Sequence, residues 1–229
     1  MKKTTHPYLS NASLGFTLVE MAVVLVIMGL LIAAFLTPLS AQRDLRDYSE
    51  TKLRLEQIRD ALYGYAIING KLPCPTSTTD PTDNVNYGHG DATCPLTSTA
   101  FVLPWKDLGV HEVDAWGTPR SATADPWAGY WVYRVDPNFA NTFNLATSAI
   151  GDIDIRKANG TSQTAVAERA VAVICTTGKD RIANGENASF ETVSPVYQDD
   201  VFSPTFNDMC IWITRPSLFN RMVSAGKLP

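Results

Sequence analysis

The sequence predicts an α+β protein in which a long N-terminal helix, apolar and then amphipathic, lies under a small antiparallel β-sheet. Three observations carry that expectation. An unbroken apolar run extends from Gly15 to Leu36, a helical apolar periodicity extends from Ala41 to Ile68, and β-branched or aromatic segments separated by turn signals occupy the C-terminal half.

The run reads GFTLVEMAVVLVIMGLLIAAFL and holds a single charge, Glu20. A helix from Phe16 to Leu36 would rise roughly 31 Å, close to the ~30 Å hydrocarbon thickness of a bilayer. A carboxylate in such a helix costs about 2.5 to 3.5 kcal/mol on insertion scales, so it asks for a partner charge. No lysine or arginine lies between Lys3 and Arg43. Cleavage between Gly15 and Phe16 would create an α-amino group four residues before Glu20, within reach of it in the same helix or in a neighbouring copy.

From Ala41 to Ile68 the residues Leu45, Tyr48, Leu55, Ile58, Leu62 and Tyr65 recur at helical spacings, with Arg43, Asp47, Glu50, Arg54, Glu56 and Asp60 mostly between them. Pro38 lacks a backbone N–H and is expected to loosen or kink the ladder between the two halves without ending the helix. The whole stem would be roughly 80 Å long, with Gly70 and Pro73 as stop signals.

The segment from Asn69 to about Gly129 reads as loop, with Pro73, Pro75, Pro81, Pro95 and Pro104 and the turn Gly88-His89-Gly90-Asp91. Strand candidates follow at Tyr130 to Val135, Ala170 to Cys175 and Cys210 to Thr214, with a weaker one at Ile150 to Ile155. An antiparallel sheet over the amphipathic stem would bury one face and leave the other wet. Pro216 to Ala225 reads as a short helix, with proline in its first turn and Gly226 after its last.

Composition limits the function. The net charge is −4 and becomes more acidic if Lys2 and Lys3 leave with a leader, which argues against a general nucleic-acid binder. The three histidines, His6, His89 and His111, stand in no context that supplies an oriented base, and no phosphate-binding glycine loop is present, so an enzyme is not expected. The four cysteines Cys74, Cys94, Cys175 and Cys210 are an even count in an exported domain and read as disulfides, with sequential pairing the expectation among three connectivities. Zinc spacings such as C-x2-C are absent. Asp80, Asp83 and Asp91 match no EF-hand spacing and read as a solvated acidic loop. The cluster Trp127 to Tyr133 reads as sheet core or its rim, or else as a surface on which sugars or a partner could stack.

Gly-Phe-Thr-Leu-Val-Glu followed by an apolar helix resembles the class III leader of type IV pilins and of the pseudopilins of type II secretion. In that family a membrane-embedded prepilin peptidase cuts after the glycine and methylates the new N-terminus, and the glutamate helps dock each subunit to the next. The resemblance implies Gly15 and Phe16 as processing positions, Phe16 as the methylated residue and Glu20 as the assembly residue, with Gly29 and Pro38 at helix-loosening positions. It implies a pilin-like chain with a cleaved leader at 1–15, a transmembrane stem at 16–38, an amphipathic helix at 39–69 and a disulfide-stapled head at 70–229. The partners it implies are the peptidase, other pilins or pseudopilins, and inner-membrane lipid, with the head in the periplasm before assembly into a periplasmic or extracellular filament.

Two plainer readings compete with it. One is a secretory signal peptide cleaved near Leu39-Ser40-Ala41, where Leu39 fits the small-x-small rule poorly. The other is a single-span anchor bearing a periplasmic binding or adhesion module that never polymerises.

Two shorter echoes lie in the head. Asp114-Ala115-Trp116-Gly117 followed by Pro119 resembles the D-x-W-G-x-P turn of the major pseudopilin, where it shapes a loop. Thr177-Gly178-Lys179-Asp180 with Asn184-Gly185-Glu186 is similar to that family's calcium-binding loop, which implies Asp180 and Glu186 as calcium ligands; no other cofactor is expected.

Overall fold

The computed structural model describes residues 15–77, 85–94, 102–117, 129–149, 153–163, 170–189 and 196–228; for 33–41 it describes the backbone only. Helix α1 spans Leu18–Asn69 and passes through Pro38. The chain divides into two compact units, Met1–Leu45 and Arg46–Pro229.

In the first unit every described apolar side chain of α1, from Leu18 to Ile32, is exposed. Among the described residues no helix is long and apolar enough to cross a membrane. The side chains described end at Ile32, and those of the expected span's remainder lie outside the described residues. Leu45, expected on the apolar stripe, is exposed.

The second unit holds the core. Leu55, Ile58, Leu62, Tyr63 and Ala66 of α1 are buried, at spacings that keep one helix face turned inward. Tyr65 is only half-buried. The buried stripe therefore runs through Tyr63 and Ala66 where the sequence suggested Tyr65. Gly70 closes the helix in the left-handed region (φ 68°), with its N–H donating to the Ala66 carbonyl at 2.8 Å.

Three strands, β1 (Val132–Val135), β3 (Ala170–Thr176) and β5 (Met209–Thr214), form an antiparallel sheet in the order β1-β3-β5. Two further strands, β2 (Asp154–Arg156) and β4 (Val196–Gln198), pair in parallel. One core cluster joins α1 to Tyr133, Ile174, Ile211 and Ile213 and to Leu218, Phe219 and Met222 of the C-terminal helix. A second cluster puts Val132, Val173 and Cys175 against Ile153, Ile155 and Tyr197. The expectation that one sheet face stays wet is thereby corrected. The β2–β4 pair covers it, and every residue of β3 is buried.

The described part of the expected loop contains a short helix, α2 (Trp105–Leu108), whose Trp105 packs with Val102 and Tyr130 in a third cluster. Helix α3 (Arg215–Ser224) begins at an N-cap, Thr214, whose side chain accepts from the Ser217 N–H. Disulfides join Cys74 to Cys94, with Cα atoms 4.9 Å apart, and Cys175 to Cys210, at 4.2 Å. The second links directly opposed residues of β3 and β5.

Candidate functional site

At the start of α1, Thr17 and Glu20 form a reciprocal cap. The Thr17 N–H and the Thr17 hydroxyl each donate to Glu20 Oε2 at 2.8 Å, while the Glu20 N–H donates to Thr17 Oγ1 at 3.2 Å. This satisfies donors that a helix N-terminus otherwise leaves open, and it places a carboxylate where the helix dipole is positive. Phe16 precedes the cap and is 85% exposed. Gly15 has open space around its Cα. The Gly15–Phe16 bond, the first-turn carboxylate and the threonine that orients it therefore lie within six consecutive residues. Thr17 was not singled out from the sequence, although its T-x-x-E spacing is the signature of a capping box.

In the head, the Asp114 turn is a structural device. Its carboxylate is buried, accepts from the Trp116 N–H at 3.0 Å and takes the Thr176 hydroxyl. Arg54 of α1 donates to the Val113 and Asp114 carbonyls at 3.0 and 2.9 Å, and the Ala115 N–H donates to Thr51 Oγ1 at 3.1 Å. The turn is thus bolted to the helix. Burial pushes the Asp114 carboxyl up, against the lowering pull of Thr176, Trp116, Arg181 and Arg54.

Asp180 and Glu186 occupy separate local structures. Asp180 Oδ1 accepts from the Ile182 N–H at 3.0 Å, and Glu186 lies in a 3₁₀ turn, Gly185–Ser189. Among the described residues no group of three or more His, Cys, Asp or Glu side chains could hold a metal ion. The acid that organises this loop is Asp208, whose Oδ2 accepts from the Asn184 N–H at 2.8 Å and from Asn187 Nδ2 at 3.0 Å. Burial raises it to about 6. Nothing in the sequence marks it beyond its place before β5.

Other residues of interest also serve structure. Trp131 and Tyr133 are fully buried, with Trp131 Nε1 donating to the His111 carbonyl at 2.8 Å and the Tyr133 hydroxyl to the Pro73 carbonyl at 3.0 Å. His89 Nδ1 lies 2.6 Å from Asp107 Oδ1, beside the Cys74–Cys94 staple. Asp91 receives the Ser77 N–H and hydroxyl. Trp127, Asp80 and Asp83 lie outside the described residues.

Residues 10–36 match the family model of the prokaryotic N-terminal methylation motif. The chain carries a prepilin-type N-terminus. That motif is the signature of type IV pilin and pseudopilin substrates, and it implies processing by prepilin peptidase, assembly with other pilins and a place in the cell envelope or its filaments. The match contains Gly15, Phe16, Thr17 and Glu20 and stops before the head. No curated protein and no solved structure matches the chain.

Proposed function

We propose that the chain is a structural subunit, a minor pilin or a pseudopilin, that is cut between Gly15 and Phe16, methylated on Phe16, and drawn into a type IV pilus or a type II secretion pseudopilus through its stem. The single observation that carries this reading is the methylation-motif match across residues 10–36, which contains both the cleavage bond and Glu20. The size of the head favours a minor pilin or pseudopilin over an abundant pilus subunit.

Before assembly, the stem at 16–38 anchors the precursor in the inner membrane with the head in the periplasm. The apolar sequence continues through Ala33-Ala34-Phe35-Leu36, enough for roughly 31 Å of helix counted from Phe16. After cleavage, a new ammonium at Phe16 sits one residue before Thr17, whose donors already converge on the Glu20 carboxylate. Glu20 then pairs either with its own N-terminus or with that of the next subunit. Such pairing offsets the cost of a carboxylate in an apolar stem and fixes the register of a repeated heterologous contact.

Replacing Glu20 with alanine tests the assembly role. The expected result is normal membrane insertion and normal processing, with loss of the subunit from sheared filaments or pseudopili. Unchanged incorporation would remove Glu20 from the assembly contact, and absence of the unsubstituted chain from sheared filaments would favour an anchored binding or adhesion module that does not polymerise.

A further inference from the structure

Beside β5 the head carries a cleft of about 280 Å³ that neither processing nor the stem accounts for. Its walls are aromatic. Tyr48 and Phe202 pack with ring centroids 4.7 Å apart, and Trp212 lines the same space. Four carboxylates also line it, Glu56, Asp199, Asp200 and Asp208, against one base among the described lining residues, Lys52.

The carboxylates are not equally free. Arg59 engages Glu56, and the Ala158 and Val201 N–H groups donate to Asp200 at 2.8 Å each. Asp208 differs from both. It is 2% exposed, its Oδ2 is held by Asn184 and Asn187, and its Oδ1 has no hydrogen-bond partner among the described residues. A buried carboxylate oxygen without a donor is costly and calls for one.

The cleft floor bears on what kind of molecule the acidic lining would take. Met209 to Trp212 line the cleft and belong to β5, an edge strand of the three-stranded sheet. An edge strand offers backbone groups to an extended segment of another chain. Aromatic faces attract an organic cation and accept its methylene stem. A bare metal ion instead needs several oxygen ligands, and no suitable group of three side chains exists among the described residues.

We propose that this cleft receives a lysine or arginine side chain from an extended segment of a partner protein laid along β5. The cation sits between Tyr48, Phe202 and Trp212 and donates to the acidic lining at Asp208. The site belongs to the head alone and stands whether or not the chain polymerises.

The test uses the full chain in detergent micelles, titrated by calorimetry with the acetylated, amidated peptide VTKVT, with VTAVT and with calcium chloride. Binding of VTKVT at least tenfold tighter than VTAVT, weakened about tenfold by Asp208→Asn and severalfold by Phe202→Ala, is the expected result. Failure to bind VTKVT, equal binding of VTAVT, or displacement of VTKVT by stoichiometric calcium would overturn the proposal. Phe202 is part-exposed, so should Asp208→Asn fail to fold, Phe202→Ala decides by itself: unchanged affinity refutes the cleft.

Discussion

Leu25 is 66% exposed and Leu62 is fully buried, although both are leucines on α1. In the N-terminal unit the helix is capped by its own Thr17 and Glu20, and its described apolar side chains are exposed. In the head the same helix packs with residues of the three-stranded sheet and of α3. A helix's apolar face contributes stability only when something removes it from water, and propensity alone contributes little. The described N-terminal side chains thus leave apolar surface uncovered, which the proposed role gives to lipid or sister stems, whereas the described core residues of the head pack on one another.

The largest expected effect breaks or keeps that contrast directly. Leu62→Ala should destabilise the head by about 2 to 5 kcal/mol in denaturant unfolding, because it deletes a fully buried side chain. Leu25→Ala should leave the head's transition unmoved. Equal losses would mean that the stem shares the head's core.

Next come the staples. Replacing Cys175 and Cys210 together by alanine should cost about 3 to 4 kcal/mol, and replacing Cys74 and Cys94 about 3 kcal/mol, from the loop entropy each restores to the unfolded chain. Neither pair should change solubilisation of the stem by detergent.

Asp208 gives a pH-dependent effect confined to the head. Its folded carboxyl sits at about 6, above the unfolded value near 3.9, so the folded state binds extra protons between those values. Stability is therefore greatest below the unfolded value and falls as pH rises through about 6, by about 3 kcal/mol. Asp208→Asn should reduce this decline. Asp114 and Asp199 are raised by burial in the same sense, so some slope should persist. Denaturant midpoints from pH 4 to 8 measure it.

The smallest effect lies at the cap. Thr17→Ala should loosen the first turn of α1 by about 1 kcal/mol, seen as faster amide exchange at residues 18 to 21, with the head's midpoint unchanged.

These two regions also differ in how much of them the sequence discloses. The stem's features are local: an apolar run, a glycine before an aromatic residue, and an acid at N3 whose threonine partner stands three residues away. The antiparallel strands and the C-terminal helix were legible for the same reason, since each has its own composition or punctuation. Of the parallel pair, β2 overlaps the weaker candidate Ile150 to Ile155, whereas β4 had none, because a three-residue strand such as Val196–Gln198 is too short to show a period. The doubly covered sheet followed from that omission. Tyr65 and Tyr63 are two residues apart on one turn, and only the tertiary packing decides which is turned inward. Asp208 is a lone acid in sequence and acquires meaning from Asn184 and Asn187, brought beside it by the fold.

The central claim is that the Gly15–Phe16 bond is a processing site. Mass spectrometry of the N-terminal peptide from protein purified out of membranes tests it most directly. The account predicts a mature chain beginning at N-methylated Phe16 when prepilin peptidase is present and an uncut precursor when it is deleted. A mature chain beginning at Met1 or Gln42 in cells with the active peptidase would contradict it.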